Sequence, residues 1–108
     1  MKKYILLAPF FAPLVAFCGN TLGTIGQIQV GTTDPNLAFI TPVGSNASLP
    51  SCSTAGNRYA IDLTTNAGKA AYAAALTAKL TNSTITLVGS GTCTLNVTSE
   101  NLSSIQLQ

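Results

Sequence analysis

The sequence predicts a small, mainly β domain with one α-helix, in the order β-β-β-α-β-β. Short segments in which apolar and polar residues alternate recur along the chain, as expected of strands with one buried face. A single alanine-rich stretch with helical periodicity lies between the third and fourth of these segments. The chain has 108 residues, which is the length of one small domain.

The chain begins with a segment that we expect to be removed. Lys2 and Lys3 precede an apolar run, Tyr4–Phe17, and small residues follow it. This is the pattern of a secretory signal peptide, and the run is shorter than the about 20 residues that a membrane-spanning helix needs. We therefore predict a signal peptide over residues 1–18 and a single domain over residues 19–108. The protein is expected to be exported, secreted or periplasmic, with no permanent membrane span.

The position of the cut determines the fate of Cys18. Small residues at Ala16 and Cys18 would place the cut before Gly19, within a window of residues 16–20. The alternative is a lipoprotein signal, in which Cys18 becomes the acylated first residue. Phe17 fits that alternative poorly, because the position usually holds glycine or alanine.

The first half of the domain is predicted to be a hairpin followed by a long loop. Thr24–Val30 alternates apolar and polar residues and predicts a strand, and Leu37–Thr41 predicts a second. The turn residues of Gly31–Asn36 lie between them. Gly44–Asn57 is rich in glycine, serine and asparagine and predicts a loop. Arg58–Leu63 then alternates regularly and predicts the third strand.

The helix is predicted over Ala67–Leu80. The hydroxyl and amide side chains of residues 64–66 can accept hydrogen bonds from the first free N–H groups, and alanine, the best helix former, dominates the residues after them. Large apolar side chains recur every four residues and are expected to form the stripe that closes the core: Tyr72, Leu76 and Leu80.

The last third predicts β structure at three places, of which the order β-β-β-α-β-β counts two as strands. Thr84–Val88 alternates, a Gly-Ser-Gly turn follows, and Thr92–Val97 is expected to return beside it. Leu102–Gln108 is the last, with Ile105 and Leu107 on one face. Five strands with one helix between the third and fourth is the order of the OB-fold, a five-stranded Greek-key barrel. An open antiparallel sheet with one packed helix is the alternative.

Charge and composition argue against two classes of function. The chain carries five cations and three acids, so removal of Lys2 and Lys3 leaves a neutral protein without the basic patch that nucleic-acid binding needs. Histidine is absent from the sequence, which removes the commonest general base and metal ligand. Asp62 and Glu100 could form an acid/base pair, but we expect both to be solvated surface acids. The prediction is no enzyme, no cofactor and no metal.

The three cysteines favour one disulfide. If Cys18 leaves with the signal peptide, Cys52 and Cys93 remain as a pair in an oxidising compartment. Their spacing lacks the close pairs of zinc sites, although free thiols stay an alternative.

The helix also carries a row of small residues: Ala67, Ala71, Ala74 and Ala78. These positions share one side of a helix. They could form an assembly face in a homo-oligomer, or simply be alanines at exposed helical positions.

The stretch from Ser51 to Thr94 resembles the small exported B subunits of bacterial toxins that combine one A chain with five B chains, of the subtilase-cytotoxin and pertussis-like type. The similar features are the loop cysteine, the strand RYAIDL, the helix GKAAYAAALTAKL, the strand TITLVGSG and the second cysteine. The resemblance implies an OB-fold, the Cys52–Cys93 bridge, a ring of five subunits, a toxin-like A subunit as partner, and glycan binding.

The expected function is therefore an exported, non-catalytic binding module that binds a glycan. The alternative is a stand-alone secreted or periplasmic structural protein with a protein partner. Polar residues near the bridge are the ligand-binding candidates: Ser51, Ser53 and Arg58.

Overall fold

The computed structural model describes residues 18–31, 33 and 36–108, and contains five strands and one helix in this part of the chain. The elements are β1 (Asn20–Val30), β2 (Leu37–Ala47), β3 (Tyr59–Asp62), α1 (Asn66–Thr81), β4 (Ile85–Gly89) and β5 (Glu100–Leu107). The predicted order β-β-β-α-β-β is confirmed. The predicted signal peptide before residue 18, and the Asp34-Pro35 part of the first turn, lie outside the described residues.

The five strands form one sheet that closes in a ring. β1 pairs antiparallel with β2 and with β4, β2 pairs antiparallel with β3, and β4 pairs antiparallel with β5. A short parallel contact between β3 and β5 completes the circuit. Each strand therefore has two neighbours, and the open sheet that the sequence left as an alternative is wrong.

The hairpin of β1 and β2 is confirmed, but both strands are longer than the sequence predicts. β1 begins at Asn20, and β2 continues past Pro42 to Ala47. The register shifts between Ile25 and Gln27, next to the position where Pro42 pairs with Ile25. A proline lacks the N–H of a regular ladder but is tolerated at such a bulge, so Pro42 does not end the strand.

The core lies inside the ring, between the sheet and α1. The predicted alternation is confirmed in β4, where Ile85 and Leu87 are buried. In β3, Tyr59 and Ile61 belong to the same core, but Ala60 between them is buried as well. Small side chains of α1 pack against them. The remaining buried members of the cluster come from β1, β2 and α1: Ile25, Ala38, Ile40, Ala75 and Ala78.

The predicted apolar stripe of the helix is wrong in part. Tyr72 is partly buried and packs against the core, but Leu76 is 39% exposed and Leu80 is 87% exposed. Ala75 and Ala78 occupy the buried face instead. The physical reason is close approach: α1 lies against β1, β3 and β5, and small side chains fill the narrow space between a helix and a tightly closed sheet.

The strand predicted at Thr92–Val97 is also wrong. This segment is a loop, and the strand after it begins at Glu100. Ile105 and Leu107 share a face as predicted, since they pair with the buried Leu87 and Ile85, but only Ile105 packs against the core, because Leu107, at the end of the strand, is 42% exposed. A register shift between Leu102 and Ser104, opposite Val88 and Gly89, breaks the alternation at Ser103 and not between Ile105 and Leu107.

The disulfide between Cys52 and Cys93 is confirmed, with Cα atoms 6.1 Å apart. It joins the loop before β3 to the loop before β5. In the described part of the chain, no helix is long and apolar enough to cross a membrane.

Candidate functional site

A groove of about 320 Å³ opens beneath the first turns of α1, where β3 and β5 separate. These two strands pair only at Tyr59 with Glu100 and at Ala60 with Asn101. We call this opening the helix groove. Its polar lining comes from four segments of the chain: Asp62, Thr65, Ser90, Asn101 and Ser103. Its apolar lining includes Ile61, Ala71, Leu95 and Leu102.

Asp62 brings a negative charge to the groove. Its Oδ1 accepts hydrogen bonds from the Thr64 hydroxyl at 2.6 Å and from the Thr64 N–H at 2.8 Å. Both hydrogen bonds lower the pKa of the Asp62 carboxyl below its ordinary value, the bond from the hydroxyl more than the bond from the N–H. The group is therefore ionised at neutral pH. Within the described residues, Oδ2 has no hydrogen-bond donor. It is an acceptor that a ligand can use.

The N-terminus of α1 forms one side of the groove. The predicted cap is confirmed at Thr65, whose Oγ1 accepts a hydrogen bond from the Gly68 N–H at 2.9 Å. A Cβ atom at Gly68 would lie only 1.7 Å from the Asp62 carbonyl oxygen. The first turn of the helix therefore rests directly on the end of β3, and only glycine permits this approach.

Asn101 holds the opposite side. Its Oδ1 accepts hydrogen bonds from the N–H groups of Thr94 and Leu95, at 3.2 and 3.1 Å. Its Nδ2 donates to the Thr94 hydroxyl at 2.6 Å and to the Thr92 hydroxyl at 3.3 Å. One amide thus fastens the loop before β5 to the strand itself. This explains why the segment at Thr92–Val97 is ordered without being a strand.

The chemistry of the groove suits a polyhydroxylated ligand. The Asp62 carboxylate accepts hydrogen bonds, and the Ser103 hydroxyl, exposed at the groove, can both donate and accept them. Leu95 and Leu102 offer apolar contact to C–H groups. Volumes of this size, with mainly apolar walls and a few placed polar groups, are typical of small-molecule sites.

A second polar cluster, inside the ring, was not predicted. Glu100 is 0% exposed. Its Oε2 accepts hydrogen bonds from the N–H groups of Gly19 at 2.9 Å and Gly91 at 2.8 Å, and the Gly19 nitrogen also lies 3.1 Å from Oε1. At Gly89, a Cβ atom would lie 2.0 Å from the carboxyl carbon of Glu100. Main-chain groups and glycines therefore form the space that this carboxylate occupies.

Tyr59 and Thr21 complete this buried cluster. The Tyr59 hydroxyl and the Thr21 hydroxyl are 2.9 Å apart and share a hydrogen bond. Burial raises the pKa of Tyr59 above its ordinary value of 10.0, the Thr21 hydrogen bond opposes this, and the nearby Glu100 charge adds to it. The phenol is therefore neutral at physiological pH. Both hydroxyls are buried, so this cluster is structural and not an open site.

The two acids of the sequence analysis do not form an acid/base pair. Asp62 pairs with Leu37 at the far end of β3, whereas Glu100 pairs with Tyr59 at its beginning. Three residues of strand separate the two positions, which is about 10 Å at 3.3 Å per residue. The expectation that both acids are solvated on the surface is wrong for Glu100 and holds for Asp62.

The ligand-binding candidates near the disulfide do not line the helix groove. The Arg58 guanidinium lies 4.2 Å from the centre of the Phe39 ring and donates hydrogen bonds to the hydroxyls of Ser99 and Thr98, at 2.7 and 3.2 Å. The Ser53 hydroxyl donates to the Gly56 carbonyl at 2.8 Å. These two side chains already have hydrogen-bond partners within the protein, whereas the Ser51 side chain is exposed.

The four alanines predicted as an assembly face do not all lie on the free surface of the helix. Ala78 is fully buried and Ala71 packs against the core. Ala67 is exposed and Ala74 is half-buried. Part of this row of alanines faces the sheet, because alanines, and not leucines, are the residues of α1 that contact the strands.

Sequence reasoning missed Ser90, Asn101 and Ser103. They stand in separate polar stretches whose composition is that of ordinary turns and surface strands, and nothing in their spacing indicates a common site. In the part of the chain that the structure describes, no group of three or more cysteine or acidic side chains could hold a metal ion. No protein-family model, curated protein or solved structure matches this chain.

Proposed function

We propose that the protein is an exported, non-catalytic binding module that binds a glycan in the helix groove. The observation that carries the proposal is the ionised Asp62 carboxylate at the rim of a groove of about 320 Å³. Its Oδ2 faces no protein donor among the described residues, so a ligand hydroxyl can take that place. The resemblance to toxin B subunits, which bind glycans, supports the same class of ligand.

The fold in this proposal is an OB-fold-like barrel. The neighbour order β1-β2-β3-β5-β4, with the ring closed between β4 and β1, supports it, as does the position of α1 between β3 and β4. OB-folds bind oligonucleotides and oligosaccharides. The neutral charge of residues 19–108 favours the sugar over the nucleic acid, because phosphate binding requires an excess of cations.

Recognition in the groove combines two kinds of contact. The Asp62 carboxylate accepts hydrogen bonds from ligand hydroxyls, and charge-assisted bonds of this kind are among the stronger ones. Leu95 and Leu102 contact the C–H face of the sugar ring. Ser103 adds a hydroxyl that adapts as donor or acceptor.

The test is a glycan array probed with the purified, oxidised protein, followed by titration of any glycan that binds. Ser103→Trp places a large side chain in the groove and should abolish binding. Ser104→Trp is the matched control, because Ser104 is exposed and adjacent to Ser103 in the chain but does not line the groove. Asp62→Asn should weaken binding by about tenfold or more, since it removes the charged acceptor.

Two results would contradict this function. Failure to bind any glycan, together with capture of a protein from an extract of the source cells, would favour the alternative of a stand-alone interaction protein. Equal loss of binding in the Ser103 and Ser104 variants would place the ligand elsewhere on the protein.

A further inference from the structure

The carboxylate of Glu100 is buried, and a negative charge on it would need compensation. An ionised carboxylate inside a protein is strongly unfavourable unless a cation or several hydrogen bonds compensate it. In the described chain, Arg58 donates to Thr98 and Ser99, and Lys79 donates to the Gly26 carbonyl. Lys69 is exposed on α1. The described side chains thus form no ion pair with Glu100.

The nitrogen of Gly19 lies where a cation would fit. It is 2.9 Å from Oε2 and 3.1 Å from Oε1 of Glu100, so it contacts both oxygens of one carboxylate. A main-chain amide has a single proton to share between them. An ammonium group at the same point has three N–H donors and satisfies each oxygen with its own proton.

The boundary of the domain coincides with this nitrogen. Cys18 is exposed and Gly19 is buried. The Gly19 carbonyl oxygen accepts a hydrogen bond from the Gly89 N–H at 2.8 Å, directly before the β1–β4 ladder begins at Asn20. The small residues at Ala16 and Cys18 fit the specificity positions of a signal peptidase that cuts after Cys18.

We propose that the mature protein begins at Gly19, and that its α-ammonium group forms a buried ion pair with Glu100. This inference rests on the proposed export, and is independent of the glycan groove. In the cleavage step, a signal peptidase adds water across the Cys18–Gly19 peptide bond. The Cys18 carbonyl becomes a carboxylate on the released peptide, and the Gly19 nitrogen becomes an amine that takes up a proton.

The environment of this ion pair is otherwise uncharged. The Tyr59 phenol, kept neutral by burial, and the Thr21 hydroxyl lie on one side. Gly91 donates its N–H to the same carboxylate. A Cβ atom at Gly19 would lie 2.2 Å from Oε1 of Glu100, so only glycine brings the terminal nitrogen this close. The first residue of the mature chain thereby helps to hold the ring of strands closed.

The first experiment determines the N-terminus. The full-length precursor is expressed in a bacterium with a general secretion pathway, and the exported protein is analysed by N-terminal sequencing and intact mass. A chain that begins at Gly19 supports the inference. An exported chain that begins at an acylated Cys18, or at any other residue, overturns it and leaves export intact. A precursor that is neither cut nor exported overturns export as well.

The second experiment tests the ion pair on the same unmodified protein. Acetylation by a hydroxysuccinimide ester is followed at each amine by peptide mass spectrometry, in the folded protein and in urea. Lys69 and Lys79 are exposed and should react when folded. The Gly19 amine should react at least about tenfold more slowly folded than unfolded, which corresponds to a pKa raised by one unit. An equal rate in the two states would overturn the ion pair.

A pair of variants adds a direct comparison. Glu100→Gln removes the charge and should make the Gly19 amine react as fast as in the unfolded chain. Asp62→Asn changes an exposed acid and should leave the Gly19 rate unchanged. If Glu100→Gln does not accumulate as folded protein, the pH dependence of the Gly19 rate in folded and unfolded wild-type protein decides the question, because burial alone slows acetylation without raising the pKa of the amine.

Discussion

Replacement of the two acids, Glu100 and Asp62, should affect stability very differently. Glu100→Ala leaves the N–H groups of Gly19 and Gly91 without their acceptor inside the protein. Each unsatisfied buried donor costs about 1–3 kcal/mol. The expected loss for Glu100→Ala is therefore about 3–5 kcal/mol of unfolding free energy, in line with the cost of breaking other buried charge interactions.

Two further variants make the prediction specific. Glu100→Gln keeps the shape and one acceptor oxygen but removes the charge, so its loss should be smaller than that of Glu100→Ala yet clearly measurable. Asp62→Asn changes an acid at the surface whose hydrogen bonds to Thr64 an amide oxygen can still accept, so its loss should be much smaller than that of either Glu100 variant. Because small domains are stable by only about 5–15 kcal/mol, the Glu100→Ala loss is a large share of the total.

The assay is urea unfolding of the oxidised proteins, followed by circular dichroism, with the transition midpoint and slope fitted together. The expected order of stability is wild type and Asp62→Asn, then Glu100→Gln, then Glu100→Ala. If Glu100→Ala were as stable as Asp62→Asn, the carboxylate would not be holding Gly19 and Gly91, and our account of the ring closure would be refuted.

Three other outcomes are expected from the structure. Replacing both Cys52 and Cys93 with serine should lower the unfolding free energy by about 4 kcal/mol, as estimated from the 41-residue separation, whereas a reducing agent should have no effect on that variant. Ala78→Leu should cost about 1–3 kcal/mol of unfolding free energy through overpacking, while Leu80→Ser should stay within about 0.5 kcal/mol. Equal losses in urea unfolding would contradict the finding that Ala78 is buried against the sheet and Leu80 is exposed. The folded-state pKa of Tyr59 is raised above 10.0, so the stability that the neutral phenol contributes is present below pH 10 and is lost as the pH rises further. Tyr59→Phe should therefore show a flatter decline of the urea midpoint than the wild type between about pH 9 and 11. Parallel declines in the two proteins would contradict this.

The parts of the fold that the sequence predicts are those decided by local patterns. Tyr59 and Ile61 alternate with polar or small neighbours, and their strand forms as expected. Thr65 caps the helix because a hydroxyl before an alanine-rich stretch meets free N–H groups, a purely local effect. The cysteine pair follows from the number of cysteines and the expected compartment.

The parts that it does not predict depend on contacts between distant segments. Periodicity identifies the helix but cannot show whether alanines or leucines face the sheet, because that depends on how closely the strands let α1 approach. Ala78 is buried and Leu80 exposed for this reason. Glu100 in the sequence looks like a surface acid between two polar residues, and only its pairing with Tyr59 and the glycines at 89 and 91 explain its burial.

The buried carboxylate and the groove are connected by one strand. Glu100 and Asn101 are consecutive residues of β5, and consecutive side chains of a strand point to opposite faces. When Glu100 is held inside the ring by Gly19 and Gly91, Asn101 must face outward, where its amide fastens Thr94 and Leu95 into the wall of the groove. The same pairing that closes the sheet therefore shapes the surface on which we place the ligand. A neutral or shortened side chain at position 100 would loosen the ring and the groove together.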